Sequence, residues 1–386
     1  MKEKRLLPIL FSFALLMLCF FPAFSCAESF EYSDTVFTVM DTEGKRIFTR
    51  CGAIHEGDEY ISADNTLYRI IRVDHETAVA QKEGIEPMPD VSWLDTGSAQ
   101  PVFAKQNGAS SGAQQDGGKK LIAMYVTHSD ESYVPTDGTE SIEGQGGIYD
   151  VAREFRDALQ NLGIDVILDE STHLPHDSGA YRRSRQTAER LIKKMPDAII
   201  DIHRDGIPDA EEYKVTLDGK NASQVRLLVG RANQNSAVNR EFAKELKAVA
   251  DKQYPGLIKD IFIGKGTYNQ DLSPNAVLLE FGTHTISKDR VLNSVDEMAH
   301  VVSTTLYGTL TGSAKSTETA AAHSAQKKTR SSFSGIAWMI ALTIAGVLLF
   351  TFVQTGTASA MKDKIKRGAS EITGGILGGR KKDKQD

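Results

Sequence analysis

Residues 121–131 read LIAMYVTHSDE, an apolar run from Leu121 to Val126 that is followed by a histidine and two acids. Such an unbroken apolar run is typical of a strand buried on both faces, as in a parallel sheet. In open α/β sheets, functional side chains lie beyond the carboxyl ends of such strands. His128 and Glu131 are therefore predicted to stand at a sheet edge, close enough in the chain to bind one metal ion.

Two further segments have the same form. Residues 200–205 read IDIHRD and residues 278–282 read LLEFG, so each places a histidine or an acid at the end of an apolar run. With His203 as the third ligand, two histidines and Glu131 would leave one position of a zinc site open for water. Glu280 is predicted to lie outside this ligand set and to take a proton from that water. The pattern predicts metal-assisted hydrolysis.

Each of these residues also has an interpretation without catalysis. A strand-end histidine is often a hydrogen-bonded structural residue, Glu131 is of a kind common in solvated loops, and Glu280 could form a buried ion pair with an arginine. Asp201 and Asp205 flank His203 and are expected either to orient its imidazole or to cap the strand. The functional interpretation depends on the four residues occurring together.

Residues 172–178, THLPHDS, are dense in hydrogen-bonding groups for a connection between a strand and a helix. Asp177 or Ser178 could cap the following helix, which would explain some of these polar residues without a role in substrate binding. Arginines near the predicted site could bind a peptide carboxylate through paired hydrogen bonds or could pair with a local acid. Substrate contacts are predicted for five residues: His176, Tyr181, Arg185, Arg204 and His284.

Strand-like and helix-like segments alternate from residue 119 to residue 312. This order predicts an α/β catalytic domain with a mainly parallel sheet and flanking helices. Residues 30–94 show short alternating runs and turn signals, which predict a small β-rich module. Residues 95–118 are rich in Gly, Ser, Ala and Gln and are predicted to be a flexible linker.

Both ends of the chain carry apolar segments. Residues 1–27 have the basic, apolar and small-residue parts of a signal peptide, with an uncleaved N-terminal anchor as the alternative. Residues 333–354 are predicted to form a C-terminal transmembrane helix, which a linker over 313–332 connects to the catalytic domain. The basic tail 355–386 is expected in the cytoplasm. The sequence therefore predicts a cell-membrane protein with an extracytoplasmic catalytic domain.

Composition narrows the class of protein. A chain of 386 residues exceeds the usual single core, so a catalytic domain with a smaller module is expected. The net charge of −6 argues against nucleic acid as the main partner, because a phosphate-binding surface needs a basic excess. The three cysteines, Cys19, Cys26 and Cys51, predict neither a disulfide framework nor a thiolate zinc site.

The motifs together resemble the stage II sporulation protein P family over residues 119–312. They are HSDESY at 128–133, HD at 176–177 with the YRRSR segment that follows, DIHRD at 201–205 and LEFG at 279–282. The resemblance implies an amidase-like fold and a Zn²⁺-dependent N-acetylmuramoyl-L-alanine amidase. Such an enzyme cuts the amide between the lactyl group of muramic acid and the stem peptide of peptidoglycan.

The resemblance also implies a role in sporulation and engulfment, cleavage of peptide cross-links, and a glycan-cleaving partner like stage II sporulation protein D. It gives His128, Glu131 and His203 as zinc ligands and Glu280 as the catalytic acid/base. This chain is predicted to have a C-terminal span in addition to the family's N-terminal anchor. Related amidases often carry the acidic ligand at the start of the following helix, which leaves three acids as alternatives to Glu131: Glu140, Glu143 and Asp150.

Two other functions fit the same residues. A zinc carboxypeptidase acting on stem peptides also uses an H-x-x-E pair with a distant histidine. A domain without catalysis could bind the cell wall or act as a scaffold for a partner. The presence of all four candidate residues, the three ligands and Glu280, favours an enzyme.

Overall fold

The computed structural model describes residues 34–96 and 119–308. The strands in these ranges are β1 (Val36–Asp41), β2 (Arg46–Cys51), β3 (Glu59–Ile61), β4 (Thr66–Asp74), β5 (Thr77–Ile85), β6 (Leu121–Tyr125), β7 (Asp165–Asp169), β8 (Ala198–Asp205), β9 (Lys214–Leu217), β10 (Lys220–Ser223), β11 (Val225–Gly230), β12 (Ile258–Gly264) and β13 (Ala276–Thr283). The helices are α1 (Trp93–Thr96), α2 (Val134–Asp137), α3 (Ile148–Asn161), α4 (Ala180–Ile192), α5 (Ser236–Gln253), α6 (Lys288–Leu292) and α7 (Val295–Tyr307), with 3₁₀ turns at Ala210–Tyr213 and Gln270–Leu272.

Eleven of these strands form one sheet in the order β2-β1-β5-β4-β3-β12-β11-β13-β8-β6-β7. From β12 to β7 every neighbouring pair is parallel except β11 with β13. The remaining pairs are antiparallel except β1 with β5. The predicted mainly parallel sheet is therefore found in the part after residue 119, whereas the whole sheet is mixed.

The first five strands continue the sheet of the later segment. β3 pairs antiparallel with β12, which places Tyr60 opposite Phe262. The ring of Phe48 stacks on Tyr60 at 3.9 Å and meets Phe262 at 6.2 Å between centroids. The described residues belong to one compact unit. The predicted β-rich segment thus forms strands as expected and shares both sheet and core with the α/β segment.

Helices cover both faces of the central strands, as predicted. All five residues of β6 are buried. Met124 faces a core that includes Phe155 of α3, whereas Tyr125 belongs to a smaller cluster with Leu191 of α4. In α3 the buried side chains recur at three- and four-residue spacings, which puts them on one helix face. Burial on both faces explains why β6 is uniformly apolar.

Within the described ranges, the helices are too short or too polar for any of them to cross a membrane. The predicted N-terminal segment 1–27, residues 97–118 of the predicted linker, and the predicted segments 313–332, 333–354 and 355–386 lie outside the described residues. The predicted domain boundaries stay predictions.

Candidate active site

Three neighbouring strands bring the predicted residues to one place. β6, β8 and β13 are parallel and adjacent, so their carboxyl ends share one sheet edge. Glu280 on β13 lies directly opposite His203 on β8 in the pairing register. His128 follows β6 in the loop that also carries Glu131. The structure therefore brings together all four residues that the sequence analysis grouped.

Glu131 lies between two histidines. Its Oε1 atom is 3.2 Å from Nδ1 of His128 and 3.4 Å from Nδ1 of His203. Its Oε2 atom accepts a 2.9 Å hydrogen bond from the backbone N–H of Arg204. A third histidine is close, because the ring of His176 stacks on that of His128 at 3.9 Å. One ligand atom from each of His128, Glu131 and His176 lies within 4.8 Å of the others, an arrangement that could hold a metal ion.

The loop that carries Glu131 is fixed by backbone contacts. The Glu131 N–H donates to the carbonyl of His128 at 3.2 Å, and its carbonyl accepts from the N–H of Ile148 at 3.0 Å. A Cβ atom on Gly146 would lie only 2.3 Å from that carbonyl oxygen. Glycine at position 146 therefore lets the start of α3 pack against the loop and hold Glu131 in place.

Carboxylates orient two of the imidazoles. Oδ1 of Asp201 lies 3.1 Å from Nε2 of His203, and Oδ1 of Asp130 lies 2.9 Å from Nδ1 of His176. Asp201 is itself held by the N–H and the hydroxyl of Thr127. Such partners fix the ring orientation of a metal-binding histidine and raise its basicity. The contact places Asp201 where it could orient His203, and this role stays a prediction.

The charges of the cluster suit a divalent cation. Burial and the neighbouring His176 lower the pKa of His128 to about 4, so its imidazole is neutral at neutral pH. Burial opposes a charge on His203, but Asp201 and Glu131 raise its pKa to about 10. Burial also opposes a charge on Glu131, yet His203 and His128 keep its pKa well below the ordinary value. At neutral pH His203 is therefore protonated when no metal is bound, and it would have to lose this proton to bind zinc. Neutral imidazole nitrogens and one ionised carboxylate then form a donor set that zinc accepts.

Glu280 is 6% exposed and lies in a different electrostatic environment. Burial and the neighbouring Asp205 raise its pKa to about 7, although Arg226 and Arg50 oppose the shift. Nη1 of Arg226 is 3.7 Å from Oε2 of Glu280. Glu280 therefore also forms the buried ion pair with an arginine that was the alternative to a catalytic role. A carboxyl group with a pKa near neutrality is suited to accept and return a proton.

A buried arginine supports this part of the site. Arg226 donates to Asp205 at 2.7 Å through Nη1 and to Asp260 at 2.7 Å through Nε. Its Nη2 atom reaches the carbonyl of Thr49 in β2. Sequence reasoning missed this network, for which the only local signal was an arginine inside the apolar strand VRLLVG. Asp205 is occupied by Arg226 and does not orient His203.

The cluster opens into a cavity of about 300 Å³. Four predicted substrate residues line it: His176, Tyr181, Arg204 and His284. Arg185 does not line the cavity, because both of its Nη atoms pair with Asp271 at 2.8 Å. Arg204 donates three hydrogen bonds to backbone carbonyls, those of Ser132, Asp205 and Glu140.

The alternative acids lie further from the cluster. The side chain of Glu140 is 67% exposed and approaches His284 at 3.8 Å. Glu143 is exposed, and Asp150 pairs with Lys288 at 2.6 Å. Glu131 is therefore the acid of these four that lies between the histidines.

The first strands also contribute to the cavity, which the sequence did not predict. Its lining includes four residues from before residue 53: Asp34, Arg50, Cys51 and Gly52. Cys51 lies against Gly206, where a Cβ atom would be 2.6 Å from its sulfur. Burial, together with Asp205, raises the pKa of the Cys51 thiol to about 12. A protonated thiol of this kind is a poor nucleophile.

Comparison with known proteins supports the resemblance seen in the motifs. The family model of Stage II sporulation protein P (SpoIIP) matches residues 58–303. The chain belongs to the SpoIIP family. It is 32% identical over 203 residues to Stage II sporulation protein P of Bacillus subtilis (strain 168), in an alignment that covers 46% of this chain and 50% of that protein. The chain thus spans about half the length of this curated SpoIIP relative.

Similar solved structures include three amidases. N-acetylmuramoyl-L-alanine amidase AmiC2 of Nostoc punctiforme is 14% identical, with 49% of this chain and 96% of that chain covered and a TM-score of 0.30. The CwlD amidase from Clostridioides difficile, in complex with the GerS lipoprotein, is 14% identical, with coverages of 49% and 95% and a TM-score of 0.33. Ami1 from Mycobacterium smegmatis is 18% identical, with coverages of 48% and 96% and a TM-score of 0.33.

Proposed function

We propose that this SpoIIP-family protein is a zinc-dependent N-acetylmuramoyl-L-alanine amidase that hydrolyses peptidoglycan during sporulation. The observation that carries the proposal is the position of Glu131 between His128 and His203, in the same cavity as Glu280. This arrangement provides a cation site and a proton-transfer group side by side. Membership of the SpoIIP family supports the assignment to sporulation.

In the proposal, His128, Glu131 and His203 hold the zinc ion. Two ligands of a tetrahedral zinc with bonds of about 2.1 Å lie roughly 3.4 Å apart. The separations of 3.2 and 3.4 Å from Glu131 Oε1 to the two Nδ1 atoms fit that spacing. When bound, zinc would polarise the amide carbonyl and lower the pKa of the attacking water.

Glu280 acts as the acid/base in the proposal. It accepts a proton as water adds to the amide carbon, and it returns that proton to the nitrogen when the carbon–nitrogen bond breaks. Its pKa of about 7 suits both steps, because neither protonation state is strongly favoured. Tyr213, whose hydroxyl lies 3.4 Å from Glu280 Oε2, and Arg226 keep the carboxyl group in place.

The test uses the full chain with zinc and isolated cell-wall sacculi. Glu280→Gln should lower the rate of stem-peptide release by about 10²- to 10⁴-fold and leave binding to sacculi unchanged, because the amide keeps the shape but cannot accept the proton. Glu83→Gln is the matched control, since Glu83 pairs with Arg69 on the surface of β4 and β5. An unchanged rate in Glu280→Gln would remove Glu280 from the mechanism.

Mass spectrometry of the products identifies the bond that is cut. Free stem peptide supports the amidase, whereas loss of one terminal amino acid would indicate a carboxypeptidase. Binding without any product would indicate a scaffold. The cell-membrane location with an extracytoplasmic catalytic part, the cleavage of cross-links and a partner similar to stage II sporulation protein D belong to the same proposal and derive from the sequence.

A further inference from the structure

Arg50 differs from the other arginines around the cavity. It lies on β2, is 3% exposed and lines the same cavity as Glu280. Its Nη1 atom donates to the carbonyl of Ala53 at 2.8 Å, whereas Nε is buried without a hydrogen-bond partner. Among residues 34–96 and 119–308, no carboxylate forms an ion pair with its guanidinium. Most of its donors are therefore unused.

The neighbouring arginines are satisfied by the protein. Arg226 uses Nε, Nη1 and Nη2 on two carboxylates and a carbonyl. Arg204 gives all three of its side-chain nitrogens to backbone carbonyls. Glu280 and Asp205, whose charges act on Arg50, are engaged as well, because Arg226 pairs with Asp205 and approaches Glu280. Of the five N–H donors of each guanidinium, Arg50 uses one, Arg204 three and Arg226 up to four, so Arg50 keeps the most capacity to bind a ligand.

The guanidinium of Arg50 is held in position. Its central carbon lies 4.3 Å from the centre of the Phe262 ring, a cation–π contact. Gly52 has φ of +112°, and a Cβ atom there would be 2.9 Å from Arg50 Nη1. Glycine at position 52 therefore makes room for the guanidinium. A buried charge with unused donors costs free energy, which a ligand that pairs with it would recover.

We propose that Arg50 binds a carboxylate of the peptide part of the substrate and so makes the enzyme specific for acidic stem peptides. The planar guanidinium can donate two parallel hydrogen bonds to a carboxylate, which gives recognition as well as affinity. This inference rests on the proposed function, because it concerns the same cavity. Arg50 lies before residues 58–303, which the SpoIIP family model matches. Specificity would then come from the first strands of the chain.

The first test measures binding in the full chain with Glu280→Gln, so that the ligand is not cleaved. One ligand is a soluble muramoyl peptide with free peptide carboxylates, and the other carries carboxamides in their place. Calorimetry should give about 10- to 100-fold weaker binding of the carboxamide, as expected for loss of a charge-assisted pair. Equal affinity for the two ligands would overturn the proposal, and this comparison needs no change at Arg50.

The second test changes the arginine. Adding Arg50→Gln should weaken binding of the carboxylate ligand to the level of the carboxamide and abolish the discrimination. Arg46→Gln is the matched control on the same strand, because the Arg46 side chain is 55% exposed and pairs with Glu212. Discrimination that survives Arg50→Gln would overturn the proposal. If Arg50→Gln does not fold, Arg50→Lys keeps the charge but not the paired donors, and it should still reduce the ratio.

Measurements of kcat/KM distinguish direct binding of the substrate carboxylate by Arg50 from an indirect effect of Arg50 on Glu280. In a chain that retains Glu280, Arg50→Gln should lower kcat/KM about 10- to 100-fold more for the carboxylate substrate than for the carboxamide. Some loss for both substrates is expected, because Arg50 also influences the pKa of Glu280. An equal loss for both substrates would show that Arg50 acts by positioning Glu280 and would overturn the proposal. If the protein discriminates the ligands but cleaves neither, the proposed amidase function fails and the carboxylate site stands.

Discussion

Asp205 accepts a 2.7 Å hydrogen bond from Arg226, and both side chains are completely buried. Arg226 also pairs with Asp260, so Arg226→Met would leave two buried carboxylates without their cation. We expect the free energy of unfolding to fall by about 3–5 kcal/mol, measured by urea denaturation. Arg46→Met, which breaks an exposed pair, should cost less than about 1 kcal/mol. An equal effect of the two changes would contradict this account.

Glu131 is predicted to be the acidic zinc ligand. Its side chain is 4% exposed and faces two histidines, whereas that of Glu140 is 67% exposed. Glu131→Gln should therefore weaken zinc binding by more than about 100-fold, and Glu140→Gln by less than about threefold. Competition with a chelator of known affinity measures both. The reverse order would make Glu140 the ligand.

His203 is predicted to bind zinc in preference to His176. Both histidines have a carboxylate partner, but the side chain of His203 is 4% exposed on a central strand, whereas that of His176 is 27% exposed on a loop. In the same zinc titration, His203→Ala should abolish binding and His176→Ala should reduce it by no more than about 10-fold. A larger loss in His176→Ala would assign the ligands to the group His128, Glu131 and His176.

Glu245 should make the protein less stable as the pH rises. It is buried on α5, where Oε2 has no hydrogen-bond partner among the described residues. Burial, with Glu241 nearby, raises its pKa to about 7. The folded state then binds the proton more tightly than the unfolded state, so the free energy of unfolding falls between about pH 4.5 and pH 7.

Glu245→Gln removes this ionisation. The variant should match the wild type near pH 4.5 and exceed it by about 1–2 kcal/mol at pH 8 in urea denaturation, after allowance for solvent screening. Glu154→Gln on the exposed face of α3 is the control and should follow the wild type at both pH values. A Glu245→Gln variant that is no more stable at pH 8 would refute the prediction.

Local patterns were enough to predict the strands that carry the site. An apolar run with a histidine or an acid near its end identifies β6, β8 and β13, because strands that are buried on both faces are apolar along most of their length. The antiparallel pairing of β11 with β13 and of β3 with β12 depends on contacts between distant segments. No local pattern shows them, so the place of Arg50 in the cavity could not be predicted.

Local sequence patterns also cannot show which residue an arginine side chain pairs with. The segment around Arg185 suggested a substrate contact, but Asp271, from a distant turn, takes its guanidinium. Sequence indicates which side chains can bind a carboxylate, whereas the fold decides which ones remain available.

The pairing of β3 with β12 has a consequence for cutting the chain. β12 is an apolar strand, IKDIFIG, and β3 places Ile61 opposite Ile261 along it. In a fragment that begins at residue 119, the backbone N–H and C=O groups of β12 that pair with β3 would have no partner strand. Phe262 on the same strand would lose its contact with Phe48. Open apolar edges recruit strands from other molecules. The amino-terminal strands are thus expected to protect the protein from aggregation, and a truncated fragment is expected to self-associate through β12.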